Sequence, residues 1–129
     1  MQLLGGIPVL ACRHIGQTLA FYQRALRFVI LNHRDDEDGL AWVHIQSGEV
    51  ALMLEKAGAT PSHPGASGPL RLYYYVDDVS ALHHYLVANR FSPGVLRHTA
   101  YGAQEFDITD PEGNRLTLGQ SGVAESSKG

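Results

Sequence analysis

The stretch QEFDITDPEGNRLTLG, residues 104–119, decides the fold. Two runs of alternating side chains flank Asp110-Pro111-Glu112-Gly113-Asn114. Proline presets φ for a turn, glycine tolerates positive φ, and the Asp and Asn side chains bond the local backbone, so a hairpin is the expected structure. Before the turn, Phe106 and Ile108 point one way and Glu105, Asp107 and Thr109 the other; after it, Leu116 and Leu118 oppose Arg115 and Thr117. One face is therefore expected to be core and the other to carry charge.

The residues before this hairpin complete a module around it. LRLYYYV, residues 70–76, reads as a strand, Asp77-Asp78 as an N-cap, and Leu82, Tyr85 and Leu86 as one face of a helix ending near Arg90. Residues 94–98 read as a further strand. The same order of strand, helix and three strands stands earlier in the chain. IPVLAC, residues 7–12, is a short apolar strand with Pro8 near its start, where a missing N–H does least harm. Ile15, Leu19, Tyr22 and Leu26 repeat at helical spacing and predict a helix over 16–26. Strands are expected at 28–34 and 40–46, around the acidic turn at 35–39, and at 50–55, where Val50, Leu52 and Leu54 oppose Ala51, Met53 and Glu55.

Leu19, Tyr22, Ala25, Arg27 and Phe28 recur at a constant offset as Leu82, Tyr85, Ala88, Arg90 and Phe91, which together with the repeated element order argues for a tandem duplication. The fold class is α+β. One domain over 1–129 is expected, with βαβββ modules at about 7–55 and 70–119, a Gly/Pro/Ser-rich linker at 56–69 and a flexible tail at 121–129. Each sheet has a helix on one face only, so its other face needs cover or encloses something; pairing two such sheets into a cupped mixed sheet makes a concave cavity.

Composition narrows the function classes. A chain of 129 residues with net charge -3, spread along the sequence, has no clustered Lys/Arg footprint for nucleic acid or an anionic membrane. The single Cys12 excludes an intrachain disulfide and a Cys-rich zinc site, and no apolar run approaches the roughly 18 residues a membrane span needs. A soluble, cytoplasmic protein is expected, without nucleic-acid or membrane partners. There is no nucleophile elbow and no phosphate-binding glycine loop.

Strand alternation proposes the site. If Ala41, Val43 and Ile45 pack under the first helix, Trp42, His44 and Gln46 face the open side; Leu72, Tyr74 and Val76 likewise leave Arg71, Tyr73 and Tyr75 there. Adding Met53, Glu55, Glu105, Asp107 and Arg115 gives a lining of aromatics, carboxylates and guanidiniums, matched to an aromatic and partly cationic ligand. Plainer readings stand beside this one. The tyrosines are also ordinary β-formers, and Trp42 suits core or a dimer interface. His33, His44 and His98 on strands offer a displaced metal site with Glu105 or Asp107, or simply hydrogen bonds to solvent. Glu105 and Asp107 read either as a catalytic carboxylate pair or as surface carboxylates balanced by Arg115.

Pro8-Val9-Leu10 opening the first module, Phe21-Tyr22 in its helix, and Glu105-Phe106 followed by Asp110-Pro111-Glu112-Gly113-Asn114 closing the second resemble the vicinal oxygen chelate superfamily, and most of all its bleomycin-resistance proteins. That resemblance implies a homodimer binding a small-molecule ligand, whose first strand Pro8 permits to exchange between subunits. The superfamily's enzymes hold a divalent metal on four cavity-facing side chains, and alignment by motif puts Ile7, Met53, Arg71 and Thr117 at those positions. Ile, Arg and Thr are not ligands of catalytic divalent ions, and a thioether favours soft ones. The resemblance therefore implies a non-catalytic protein that sequesters a bleomycin-like antibiotic or another aromatic, partly cationic molecule, with no cofactor. The alternative it leaves open is a metal-dependent glyoxalase-like lyase, isomerase or dioxygenase whose divalent metal sits on displaced ligands such as His44 and Glu105.

Overall fold

A computed structural model of the chain describes residues 1–58 and 69–122 and shows an α+β protein that divides into two compact units, Met1–Gly68 and Pro69–Gly129. The first unit runs β1 (Val9–Cys12), α1 (Ile15–Leu26), β2 (Val29–Asp36), β3 (Gly39–Ser47) and β4 (Val50–Lys56). Its sheet has the order β1-β4-β3-β2, with β1 parallel to β4 and the other pairs antiparallel. The second unit repeats this as β5 (Arg71–Tyr75), α2 (Val79–Ala88), β6 (Arg97–His98), β7 (Ala103–Thr109) and β8 (Arg115–Ser121), ordered β5-β8-β7-β6 with β5 parallel to β8.

The period-2 pattern assigns the core. In the first unit Leu10, Cys12, Val43, Ile45, Leu52 and Leu54 are buried on the face that α1 covers. Tyr22 is fully buried in α1 and meets Phe21 and Phe28 edge to face, with ring centroids 5.2 and 5.4 Å apart. In the second unit Phe106, Ile108, Leu116 and Leu118 are buried on the face of α2, whose Val79 and Leu86 have no exposed surface. Asp78 caps α2 by accepting from the Ala81 N–H at 3.0 Å. The repeat extends to the backbone: the matched residues Arg27, the C-cap of α1, and Arg90, which follows the Asn89 C-cap of α2, both take positive φ, 61° and 70°.

Four expectations shift. The acidic turn narrows to Glu37-Asp38, because Asp35 and Asp36 pair in β2 with Leu40 and Gly39. Residues 94–98 do not form a full strand; β6 is only Arg97–His98. Pro93 has no N–H to give, and the single bond from Gly94 N–H to the Asp107 carbonyl, 2.7 Å, brings the chain beside β7 before the ladder resumes at Arg97 opposite Glu105. At the amino end, β1 begins at Val9 because Pro8 contributes only its carbonyl, which accepts from Met53 N–H at 3.0 Å. At the other end, β8 continues to Ser121, so this residue belongs to the sheet and not to a tail. Of the expected linker and tail, residues 59–68 and 123–129 lie outside the described residues.

The turn between β7 and β8 is built by one carboxylate. Asp110 is 4 % exposed, and its Oδ1 accepts from the N–H groups of Glu112 and Asn114 while Oδ2 accepts from Asn114 Nδ2. Gly113 takes φ 92° and donates back to the Asp110 carbonyl. The oriented Asn114 amide then accepts from Leu70 N–H at 2.8 Å, and Arg115 N–H donates to the Leu70 carbonyl at 2.9 Å. A local turn motif thereby fixes where β5 enters the sheet.

Candidate functional site

Each sheet has an open face opposite its helix, and the strand register lays the candidate residues out in rows. On the first sheet one row is Val9, Met53, His44 and Asn32, and the next is Ala11, Glu55, Trp42 and Arg34. Trp42, His44, Met53 and Glu55 are half-buried there. The Arg34 guanidinium lies 5.4 Å from the Trp42 ring centre, and the His44 ring is 6.4 Å from it. Among the described residues His44 Nε2 is buried without a hydrogen-bond partner, and Glu55 has neither an ion pair nor a hydrogen bond. A buried polar atom left unmatched costs free energy, which a ligand or water that meets it would recover.

On the second sheet the rows are Arg71, Arg115 and Thr109; Tyr73, Thr117 and Asp107; and Tyr75, Gly119, Glu105 and Arg97. The expected charged face is in large part buried: Glu105 is 5 % exposed and Thr117 1 %. Glu105 Oε2 accepts from the hydroxyls of Tyr73 and Tyr101, each at 2.7 Å, and Oε1 accepts from Arg97 Nη2 at 2.7 Å. Asp107 takes Thr117 Oγ1–H at 2.7 Å and two longer bonds from Arg97, with Arg115 at 3.8 Å. Gly119 makes this packing possible: a Cβ there would fall 2.1 Å from the Tyr73 hydroxyl. Tyr73 in turn lies against Tyr75, ring centroids 5.2 Å apart, and Tyr75 is mostly exposed.

These contacts set the charge states. Burial pushes the Glu105 carboxyl up, but Tyr101, Tyr73 and Arg97 together outweigh it and hold it below its ordinary value. Asp107 follows the same pattern, burial being overcome by Thr117, Arg97 and Arg115. Burial and the neighbouring Glu105 carboxylate push the Tyr73 phenol up. The face therefore carries ionised carboxylates that each accept three hydrogen bonds, and the Tyr73 phenol stays protonated, an arrangement that orients rings and is poorly set up to accept a proton at neutral pH. Because folding depresses both carboxyl groups, the stabilisation they supply is complete above the ordinary carboxylate range and is lost as pH falls through and below it, about pH 4. Thermal melts by circular dichroism should be flat between about pH 5 and 8 and drop below about pH 4. A midpoint unchanged down to about pH 2 would contradict this assignment of the network.

The alternation thus brings Trp42, His44, Met53 and Glu55 onto one open face, and Arg71, Tyr73, Tyr75, Glu105, Asp107 and Arg115 onto the other. It missed Arg97 and Tyr101, the donors that neutralise and saturate Glu105. Arg97 shares the parity of Glu105 only through the β6–β7 register, and Tyr101 enters from the loop before β7. His33 is exposed and lies 3.4 Å from Asp35, and His98 is exposed. Among the described residues no group of three or more His, Cys, Asp or Glu side chains converges to hold a metal.

The sequence matches the family described as the Glyoxalase/Bleomycin resistance protein/Dioxygenase superfamily over residues 6–118. The chain belongs to this superfamily. Its two mixed four-stranded sheets are those of the vicinal oxygen chelate fold. Among solved structures it is similar to TioX from Micromonospora sp. ML1, with TM-score 0.78, 18% identity, and coverage of 90% of this chain and 98% of that one. It is also similar to lactoylglutathione lyase from Agrobacterium tumefaciens (TM-score 0.72, 19% identity, 92% and 95% covered) and to a bleomycin-binding protein complexed with bleomycin (TM-score 0.69, 22% identity, 91% and 98% covered). No curated protein matches the sequence significantly. At these identities the likeness is one of fold, and function has to be argued from the superfamily member's own side chains.

The divalent metal that the superfamily implies does not fit the residues at the corresponding positions. Thr117 Oγ1 gives its proton to Asp107 and accepts from Arg71 Nη2 at 3.4 Å, so its oxygen is engaged and a fixed positive charge stands beside it. In the first unit Met53 offers a thioether and Ile7 no donor atom.

Proposed function

We propose that this superfamily member is a small-molecule-binding protein that holds an aromatic, partly cationic ligand, of the kind exemplified by bleomycin, without transforming it. The observation that carries this reading is the open face of the first sheet, where the buried and unmatched His44 Nε2 lies beside the Trp42 ring and the unpaired carboxylate of Glu55. An indole face and a carboxylate suit a planar cation, and a ring nitrogen without a partner supplies a directed hydrogen bond. The saturated carboxylates Glu105 and Asp107 support binding over catalysis, since neither is free to take a proton. The solved relatives include a bleomycin-binding protein in complex with bleomycin and TnmS3, an antibiotic binding protein from Streptomyces sp. CB03234, which is consistent with this use of the fold.

Trp42 is the only tryptophan and reports on this face directly. Titration with bleomycin is expected to change its fluorescence saturably at micromolar drug, and His44→Ala is expected to weaken the binding by about tenfold, the worth of one buried hydrogen bond. An unchanged spectrum would remove bleomycin as a ligand. Turnover of a glyoxalase or dioxygenase substrate that depends on added divalent metal and disappears in His44→Ala would replace the binding reading with an enzymatic one.

A further inference from the structure

We propose that the open face of the second sheet binds a planar aromatic carboxylate whose acid group is held by Arg71 and whose ring packs against Tyr73 and Tyr75. This rests on the binding reading above and adds the charge and shape of what the second face takes.

The charges on that face do not balance. Three guanidiniums, Arg71, Arg97 and Arg115, share it with two carboxylates, Glu105 and Asp107. Arg97 engages both carboxylates and Arg115 lies 3.8 Å from Asp107, which leaves Arg71 without an ion pair among the described residues. Arg71 and Arg115 are register partners on adjacent strands, where like charges repel. The one hydrogen bond that Arg71 makes runs from Nη2 to Thr117 Oγ1 at 3.4 Å, so most of the five guanidinium N–H groups remain unmatched. A planar fork of donors beside a second positive charge is complementary to a carboxylate.

The neighbouring residues supply the rest of the recognition. Tyr73 and Tyr75 follow Arg71 on the same face of β5, each about 7 Å further along the strand. Tyr73 cannot turn its hydroxyl to the ligand, because that group is committed to Glu105. Its ring is thereby held in place beside the exposed ring of Tyr75, and the two rings, inclined at 59° to each other, offer an aromatic corner on the same face of β5 as Arg71. The same network explains why this face does not select a cation: both of its acids already have guanidinium partners.

Calorimetric titration of the full chain with 2-naphthoate and with its neutral analogue 2-naphthamide tests the proposal. Both probes should bind, with the carboxylate about tenfold tighter, as expected for a charge-assisted bidentate contact. Arg71→Gln should abolish the preference by weakening naphthoate about tenfold and the amide much less, residual binding of the amide showing that the aromatic surface is intact. Arg71→Lys, which keeps the charge and loses the fork, should retain part of it. Equal affinities for the two probes, or a preference that survives Arg71→Gln, would overturn the role of Arg71 and leave aromatic binding standing. Binding of neither probe would overturn this proposal alone if bleomycin still binds the Trp42 face, and both readings if it does not.

Discussion

Asp110→Ala is expected to destabilise the second unit by about 3–4 kcal/mol, the sum of several hydrogen bonds to a buried carboxylate. The change removes the acceptor for Glu112 N–H, Asn114 N–H and Asn114 Nδ2 at once. Replacement of a surface turn residue costs far less, usually within about 0.5 kcal/mol, so the size of the effect separates a turn with a preferred sequence from one that organises the sheet. The consequence reaches beyond the hairpin: without its bond to Asp110, the Asn114 amide loses the orientation that lets it accept from Leu70, and the entry of β5 is no longer fixed. Urea unfolding followed by circular dichroism measures the loss, with Glu112→Ala, which keeps the Asp110 carboxylate and its bonds to the N–H groups of residues 112 and 114, as the comparison. A loss below about 1 kcal/mol would mean that the backbone bonds alone define the turn.

Glu105→Ala should cost about 2–3 kcal/mol, less than a fully buried ion pair would, because Arg97 is partly exposed and water screens its charge. The carboxylate is the common acceptor of Tyr73, Tyr101 and Arg97, and its removal frees all three donors together. Tyr73→Phe deletes a single donor and should cost about 1 kcal/mol. The acid-induced loss of stability should also become shallower in Glu105→Ala, since one of the two depressed carboxyl groups is gone. If Glu105→Ala is no more damaging than Tyr73→Phe, the three contacts do not act as one network. Because Tyr73 is held through Glu105, the same variant is expected to loosen the aromatic surface that Tyr73 forms with Tyr75, which the 2-naphthamide titration reads independently of stability.

Part of the candidate face is legible in the sequence. Alternation in LRLYYYV and in the β3 sequence placed Arg71, Tyr73 and Tyr75, and Trp42 and His44, opposite the helices, because a strand has only two sides and the apolar set claims one of them. The same rule puts Glu105 and Asp107 on the open side and leaves them as charge for a ligand, as a catalytic pair or as carboxylates balanced by Arg115, of which the structure shows the Arg115–Asp107 contact at 3.8 Å. Parity gives the direction of a side chain and says nothing about which residue from a non-neighbouring strand arrives beside it. Arg97 comes from a two-residue strand and Tyr101 from a loop, and neither segment carries a periodic signal strong enough to predict its register.

The sequence by itself determined the two-fold repetition of strand, helix and three strands, the hairpin at Asp110–Asn114 and the identity of the core faces, since these follow from local turn chemistry and from the period of apolar residues. Tertiary structure alone decided that the acids of the second sheet are spent on Arg97 and two tyrosines, and that among the described residues Arg71 has no ion pair and His44 Nε2 no hydrogen-bond partner. Those outcomes depend on which strands lie side by side. That pairing is fixed by burial across the whole sheet, so no local stretch of the chain contains it.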